Sequence, residues 1–223
     1  MIIGLTGHYC AGKNHVGLML EKRGLPVLDV DKLGHEAIFL EQEAIIHCFG
    51  KEVLGSDGFV NRRLLGKQVF GRPDKLSALE AIIHPTANRL TEEWLAGRKV
   101  SVINAALLHK STVFDRLNTI ILVWAPLLVR LYRAVKRDKL SLKELLNRVF
   151  SQKDFPDRTQ FFSHYADIYI VQNSGFPGSQ RTLEKRIDAI VEGLRHGKEK
   201  TINDSGFCRS ISGDRDERRN TGL

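Results

Sequence analysis

The chain has 223 residues, of which 42% are apolar and 27% are charged, and its formal net charge is +8. This length suits one α/β domain with attached segments, large enough to fold without a disulfide or metal staple. The longest apolar runs fall short of the ~20 residues of a transmembrane helix, no basic leader precedes an apolar run, and the three cysteines are scattered. We therefore expect a cytoplasmic protein with no membrane partner and no disulfide framework.

In chain order, five short runs rich in Val, Ile and Leu predict strands that are buried on both faces. The predicted strands are residues 1–5, 26–30, 100–106, 119–124 and 167–171. The helix-compatible segments are residues 12–23, 32–48, 62–69, 74–95, 127–136, 141–151 and 183–195. This alternation predicts a three-layer α/β fold around a parallel sheet. Residues 197–223 are rich in Gly, Ser, Asn, Asp and Arg, which predicts a disordered tail.

A glycine-rich loop directly follows the first predicted strand. The sequence from Gly7 to Lys13 matches the first seven positions of the phosphate-loop pattern G-x-x-x-x-G-K-[ST], with a strand before it and a helix after it. Backbone N–H groups of such a loop bind phosphate together with the N-terminus of the next helix, and the lysine supplies a cation to the β- and γ-phosphates. The residues expected to contact ATP are Gly7, His8, Tyr9, Cys10, Ala11, Gly12, Lys13, Asn14 and His15.

The eighth position of the pattern is Asn14, where Ser or Thr normally places a hydroxyl on Mg²⁺. An amide oxygen is also an acceptable hard ligand for Mg²⁺. Direct coordination by Asn14, coordination through water and loss of the ligand all remain open. We expect Mg²⁺ binding to be retained, with Asn14 as the candidate metal residue.

Two carboxylates, Asp29 and Asp31, end the second predicted strand. Alternation along a strand predicts that both lie on one face at its C-terminal end, the edge where open parallel sheets bind ligands. One carboxylate could accept a proton from a bound hydroxyl, and the other could order water on Mg²⁺. The alternative is that Asp31 only caps the following helix.

Together these motifs resemble the dephospho-CoA kinase family over about residues 2–195. The phosphate loop is generic to many kinases, whereas the further matches are more specific. They are the Asp-Val-Asp-Lys-Leu-Gly-His-Glu segment at 29–36, Asp-Gly-Phe-Val-Asn-Arg at 57–62, Val-Phe at 69–70, Leu-Glu-Ala-Ile-Ile-His-Pro at 79–85, Arg133, Arg137-Asp138, Gln152 and Ala166-Asp167.

The resemblance implies ATP-dependent phosphorylation of the ribose 3′-hydroxyl of dephospho-CoA on a P-loop fold of the nucleoside-monophosphate-kinase type with a five-stranded parallel sheet. It implies a kinase domain over residues 1–196, with a substrate-binding helical segment at about 32–97 and a lid at about 126–160. By similarity, Asp31 is the general base, Lys13 and Arg137 are catalytic, Arg137 closes on ATP, and Asn173 lies near the adenine. The residues assigned to the acceptor substrate are Asp29, Asp31, His35, Arg62, His84 and Pro85.

The chain departs from the family pattern at several positions. His8 and Cys10 stand where the loop is often Gly, and residues 104–110 read Asn-Ala-Ala-Leu-Leu-His-Lys where the family commonly has Asp-x-Pro-Leu-Leu-Phe-Glu. These changes, with Asn14, leave two alternatives open: another P-loop small-molecule or nucleotide kinase, or a nucleotide-binding regulator with weakened catalysis. His84, between Ile83 and Pro85, could also be a buried structural histidine.

The positive charge is concentrated in one segment. Residues 126–160 contain nine Lys or Arg and four Asp or Glu, which gives 9 − 4 = +5. This segment coincides with the lid that the resemblance implies, so the charge favours a triphosphate as the polyanionic partner and disfavours nucleic acid. We expect the protein to be a monomer or a weak homo-oligomer.

Overall fold

The structure is a computed structural model that describes residues 1–138, 166–176 and 178–196. Its strands are β1 (Ile2–Gly7), β2 (Val27–Asp29), β3 (Ser101–Asn104), β4 (Thr119–Trp124) and β5 (Asp167–Gln172). The α-helices of the described residues are α1 (Lys13–Glu21), α2 (Val30–Leu40), α3 (Gln42–Phe49), α4 (Arg62–Val69), α5 (Pro73–Leu95), α6 (Leu127–Asp138) and α7 (Ser179–His196). Single 3₁₀ turns in the same residues cover Lys51–Val53, Leu108–Lys110 and Phe114–Arg116. The predicted helix at 141–151 and the predicted tail at 197–223 lie outside the described residues.

The strands form one five-stranded sheet in the order β2-β3-β1-β4-β5. β1 pairs in parallel with both β3 and β4, and β4 pairs in parallel with β5 over six residues. The predicted α/β fold with a five-stranded parallel sheet is therefore confirmed. Because β1 lies at the centre, the loop that follows it is flanked by the ends of β3 and β4.

Apolar side chains of β1 explain its central place. Ile3 and Leu5 are fully buried and belong to a core that also contains side chains of α1, β4, β5 and α7. Gly7 ends the strand where a Cβ would stand 2.5 Å from the backbone oxygen of Val123 in β4. Glycine at this position lets β1 and β4 stay paired up to the start of the loop.

The chain divides into two compact units. One contains Met1–Val27 and the chain from Lys99 onward, and the other is Leu28–Arg98. The second unit has its own apolar core, formed by side chains of α3, α4, α5 and the first 3₁₀ turn. The predicted ranges of the kinase domain, its substrate-binding segment and its lid remain predictions, and residues 139–160 of that lid are outside the described part of the chain.

The region predicted as one helix at 32–48 is two helices in the structure. α2 begins at Val30, because Asp29 ends β2 and caps the helix by accepting a hydrogen bond from the Asp31 N–H at 3.2 Å. α2 ends at Leu40, and Glu41 between the helices accepts a hydrogen bond from the hydroxyl of Thr86 in α5. The prediction that Asp29 and Asp31 share one strand face is therefore wrong, since Asp31 lies in the first turn of a helix.

The helices differ widely in length and in apolar character. Within residues 1–138, 166–176 and 178–196, no helix is both long enough and apolar enough to cross a bilayer.

Candidate active site

The candidate site lies at the carboxyl ends of the strands. Parallel strands bring these ends to one edge of the sheet, where open α/β folds bind ligands. The loop after β1 is at this edge, together with Asn104 at the end of β3 and Asn173 just after β5. The Asn173 N–H donates to the Trp124 carbonyl at 2.8 Å, which aligns the ends of β4 and β5.

The loop between β1 and α1 has an irregular backbone. Cys10 has φ 57° and Gly12 has φ 94°, so two left-handed residues flank Ala11. The Ala11 N–H donates to the His8 carbonyl at 2.9 Å, which closes a turn inside the loop. Gly12 adopts its left-handed conformation without steric cost, whereas Cys10 is held there against the preference of an L side chain.

Side chains from two distant segments bind the carbonyl groups of this loop. Arg133 of α6 donates through Nη1 to the Ala11 carbonyl at 3.1 Å and through Nη2 to Asn173 Oδ1 at 3.0 Å. Asn173 Nδ2 donates to the same Ala11 carbonyl at 3.0 Å. C=O and N–H point in opposite directions across a trans peptide, so the Gly12 N–H is directed away from Arg133 and Asn173. A phosphate loop binds its anion through backbone amide donors of this kind, so the arrangement is compatible with that role.

The fit around Gly12 gives a testable prediction. A Cβ on Gly12 would stand 2.2 Å from Asn173 Nδ2, the atom that donates to Ala11. We expect Gly12→Ala to lower the free energy of unfolding by about 1–2 kcal/mol through left-handed strain alone, and further through loss of the Asn173 hydrogen bonds. Urea unfolding measures this change, and calorimetry with ATP measures the expected loss of nucleotide affinity.

Gly178→Ala is the matched control for this substitution. Gly178 has φ 84°, and a Cβ on it would have no neighbouring atom within 4 Å, so the variant carries the strain without the collision. Gly12→Ala should therefore cost more stability than Gly178→Ala and should be the variant that loses nucleotide affinity. Equal stability losses with unchanged nucleotide affinity would contradict the role assigned to the Gly12–Asn173 contact.

Three arginines of α6 follow a helical spacing of i, i+3 and i+7, which places Arg130, Arg133 and Arg137 on one side of the helix. Burial lowers the pKa of Arg130 and of Arg133 below the ordinary arginine value, and the smaller electrostatic effect of the nearby Cys10 side chain opposes this shift. Both guanidinium groups still carry their charge at neutral pH. The Nε of Arg130 is buried without a hydrogen-bond acceptor within the described residues. Partly desolvated cations beside a phosphate loop favour an anionic ligand.

The exposed guanidinium of Arg137 lies over the ring of Tyr9, 5.3 Å from its centroid. Tyr9 belongs to the phosphate loop, so this cation–π contact brings a predicted catalytic arginine to the loop.

Lys13 and His15 begin the helix that follows the loop. Lys13 is the first residue of α1 and is half-buried. His15 is exposed, and its Nε2 lies 3.3 Å from Gln180 Nε2 of α7.

The donor set expected for Mg²⁺ consists of neutral amides. The Oδ1 of the exposed Asn14 accepts a hydrogen bond from Asn104 Nδ2 at 3.2 Å, and Asn104 Oδ1 is buried without a partner among the described residues. No group of three or more His, Cys, Asp or Glu is placed to hold a metal in the described parts of the chain. Amide oxygens fit a hydrated Mg²⁺ ion, which binds proteins through few protein ligands and keeps several of its waters. The residues present therefore fit Mg²⁺ brought by a nucleotide.

The second unit carries the residues predicted for the acceptor. Asp31 and His35 are exposed and four positions apart on α2, which places them on one face of the helix. Asp29, not Asp31, caps α2, so the alternative that Asp31 only caps this helix is wrong.

The remaining acceptor residues lie on α4 and α5. Arg62 is the exposed first residue of α4. Asn61 caps this helix, because its side-chain oxygen accepts hydrogen bonds from the two backbone N–H groups that follow Arg62. His84 and Pro85 are exposed in the middle of α5, so the alternative of a buried structural histidine is wrong. A proline inside a helix destabilises the helix by about 3 kcal/mol. A surface position without a further role would not favour proline, so Pro85 is compatible with a role in substrate binding.

The structure thus places every predicted nucleotide residue in the first unit and every predicted acceptor residue in the second. Sequence reasoning missed the loop contacts of Arg133, the unsatisfied Nε of Arg130 and the contact of Asn104 with Asn14. The spacing of the α6 arginines was the available signal for the first two, whereas nothing in the sequence indicated the third.

Comparisons with known proteins agree on one family. The family model described as dephospho-CoA kinase matches residues 1–177. A dephospho-CoA kinase of Bacillus licheniformis is 31% identical over 196 residues, which cover 84% of this chain and 96% of that protein. Another of Thermus thermophilus is 33% identical, covering 88% of this chain and 93% of that protein.

Solved structures share the fold of this chain. A crystal structure from Thermus thermophilus superposes with a TM-score of 0.72 at 33% identity, covering 87% of this chain and 97% of that one. A dephospho-CoA kinase from Campylobacter jejuni superposes with a TM-score of 0.62 at 23% identity, covering 88% and 98%, which supports the fold. From the family match over most of its length and from relatives above 30% identity, the chain belongs to the dephospho-CoA kinase family.

Proposed function

We propose that the protein transfers the γ-phosphoryl group of ATP to the ribose 3′-hydroxyl of dephospho-CoA, giving coenzyme A and ADP. The observation that carries this proposal is the loop after β1, whose carbonyl groups are bonded to Arg133 and Asn173 in a chain of this family. We further propose that the protein works in the cytoplasm as a monomer or weak homo-oligomer and binds neither nucleic acid nor membrane.

On the nucleotide side, the loop amides and Lys13 would bind the β- and γ-phosphates. Arg137 would leave the Tyr9 ring and contact the triphosphate, since phosphate offers a guanidinium a stronger partner than an aromatic face. Mg²⁺, when bound, neutralises charge on the β- and γ-phosphate oxygens. Asn14 would hold it, directly or through water.

The side chain of Asn173 contacts the phosphate loop, while its place near the adenine, which the resemblance implies, stays a prediction. Both ends of its amide are bonded to protein, to the Ala11 carbonyl and to Arg133, and its side chain is buried. We therefore propose that Asn173 positions the phosphate loop.

On the acceptor side, Asp31 would accept the proton of the 3′-hydroxyl as its oxygen attacks the γ-phosphorus. Its place in the first turn of α2, exposed and without capping duty, suits a carboxylate that meets a ligand. Arg62 and His84 would bind the substrate, with Asp29, His35 and Pro85 shaping their surroundings. Phosphoryl transfer depends mainly on positioning and charge neutralisation, which these side chains can supply.

A coupled assay with ATP, Mg²⁺ and dephospho-CoA tests the proposal. We expect coenzyme A to form in a one-to-one ratio with ADP, and no comparable turnover with AMP or shikimate as acceptor. Turnover with a nucleoside monophosphate in place of dephospho-CoA would favour the alternative of another P-loop kinase. ATP binding without transfer to any of these acceptors would favour the nucleotide-binding regulator.

A further inference from the structure

Asn104 is the polar end of an otherwise apolar strand. All four residues of β3 are buried, and Asn104 exposes only 3% of its surface. It pairs with Leu5 of β1 in the sheet, and a Cβ on Gly17 of α1 would stand 3.7 Å from its Nδ2. The side chain is therefore enclosed by β1 and α1, directly beside the start of the phosphate loop.

The amide of Asn104 is only half satisfied. Its Nδ2 donates to Asn14 Oδ1 at 3.2 Å, but its Oδ1 is buried with no partner within the described residues. A buried acceptor without a hydrogen bond costs about 1–3 kcal/mol, so such a group in a folded protein calls for a reason. Both amide atoms are on one carbon, so the unsatisfied oxygen is at the same end of the side chain as the contact with Asn14.

Asn14 is the position of the loop that normally serves the cation. In P-loop proteins the cation is held by the Ser or Thr of the loop and by an Asp from elsewhere in the fold. Here two neutral amides contact each other beside the loop. The donated N–H of Asn104 fixes the orientation of the otherwise exposed Asn14 side chain.

We propose that Asn104 is a positioning residue for the divalent cation of the bound nucleotide: it orients Asn14 and offers its own buried Oδ1 to a water of the hydrated ion. The proposal rests on the proposed function for the nucleotide and its cation, but not for the acceptor. It explains why the unsatisfied oxygen stays buried, since a hydrated cation supplies the missing donor.

The contact between Asn14 and Asn104 depends on both side chains being amides, since one donates an N–H and the other accepts it with an oxygen. A carboxylate at position 104 would place an acceptor opposite the acceptor of Asn14, and the contact would be lost unless Asn14 turned. A serine at position 14 could donate its hydroxyl to such a carboxylate. The effects of changing the two residues should therefore depend on each other.

The test uses the full-length protein, ADP and Mn²⁺ as a paramagnetic probe. Free Mn²⁺ is measured by electron paramagnetic resonance with all ADP bound to protein, and ADP affinity in EDTA is measured by calorimetry. Asn104→Leu keeps the branched shape but removes both polar atoms. We expect it to lower the Mn²⁺ affinity of the protein–ADP complex by about 10–100-fold, as for other residues that orient metal ligands. ADP affinity in EDTA should not change.

Stability separates this role from a purely structural one. Asn104→Leu removes a buried unsatisfied oxygen, so the free energy of unfolding of the nucleotide-free protein should stay the same or rise. Ser101→Ala, on the same strand and 1% exposed, is the matched control and should leave Mn²⁺ affinity unchanged. Unchanged Mn²⁺ affinity in Asn104→Leu, or an equal loss of ADP affinity with and without metal, would overturn the proposal.

A second set of variants keeps the test decisive if Asn104→Leu fails to fold. We expect Asn14→Ser to lower Mn²⁺ affinity in the otherwise unchanged protein and to raise it in the Asn104→Asp background. Additive effects would overturn the proposal. These measurements need no acceptor, so a failure of dephospho-CoA turnover would leave them standing. Normal turnover together with additive effects would reject the proposed role of Asn104 but not the proposed function of the protein.

Discussion

Replacing Asp31 by Asn is expected to lower kcat for coenzyme A formation by roughly 10²–10⁴-fold, the usual contribution of a general base. Asn has nearly the same shape as Asp but cannot accept the proton of the attacking hydroxyl. The cap of α2 does not depend on this side chain, because Asp29 supplies it. The helix should therefore remain intact, and the loss should appear in kcat more than in the KM for ATP.

Asp57→Asn is the matched control for the loss of one carboxylate from the same unit. Asp57 Oδ1 accepts a hydrogen bond from the Phe59 N–H at 3.2 Å in a turn, which an Asn side chain can replace. We expect turnover of this variant to match that of the unmodified protein. Near-normal turnover of Asp31→Asn would reject Asp31 as the general base. Other carboxylates of the second unit would then be the candidates for that role.

Much of the fold is predictable from short-range pattern. The apolar run at 119–124 matches β4 residue for residue, because a strand buried on both faces leaves a continuous apolar signal bounded by polar residues. The phosphate loop is equally visible, since its glycines, its lysine and the strand before it are adjacent in the chain.

The wrong helix boundaries in the sequence-based prediction arise where a side chain has a role that the local sequence pattern does not show. The break between α2 and α3 at Glu41 coincides with a hydrogen bond from Thr86, 45 residues later, and the pattern of 32–48 alone favours one helix. The helix predicted from residue 32 starts too late, because Asp29 both ends the strand and caps α2 with its carboxylate.

The candidate site is predictable in its residues but not in its contacts. Arg133 reaches the Ala11 carbonyl from 122 residues away, and Asn104 reaches Asn14 from 90 residues away. No local pattern encodes such pairs, because the sheet brings together strand ends that are distant in sequence. In the sequence, Asn104 and Asn14 are two independent departures from the family pattern. The parallel pairing of β1 with β3 brings the end of β3 beside the loop region, and the hydrogen bond in the structure shows that the two side chains are in contact.

Lys13→Ala is the second substitution with a large expected effect. Lys13 is the first residue of α1. In the proposed function, it supplies a cation to the phosphates, where charge develops during phosphoryl transfer. Removing one such preorganised group costs about 10²–10³-fold in kcat. Steady-state kinetics with ATP and dephospho-CoA should show this loss, and circular dichroism should show an unchanged fold because alanine favours the helix.

Lys22→Ala tests whether position or charge alone is responsible. Lys22 is exposed at the C-terminal cap of the same helix, so its removal changes the net charge by the same amount at the far end of α1. If overall positive charge attracted ATP to the protein, both variants would slow association and both effects would fade at high salt. We expect instead that Lys22→Ala keeps normal kcat, while the kcat of Lys13→Ala stays low at every ionic strength. Similar kcat values for the two variants would mean that Lys13 acts only through the overall charge of the protein. Transfer would then depend on other cations of the first unit. Candidates are Arg133, which contacts the loop backbone, and Arg137, which lies over the Tyr9 ring.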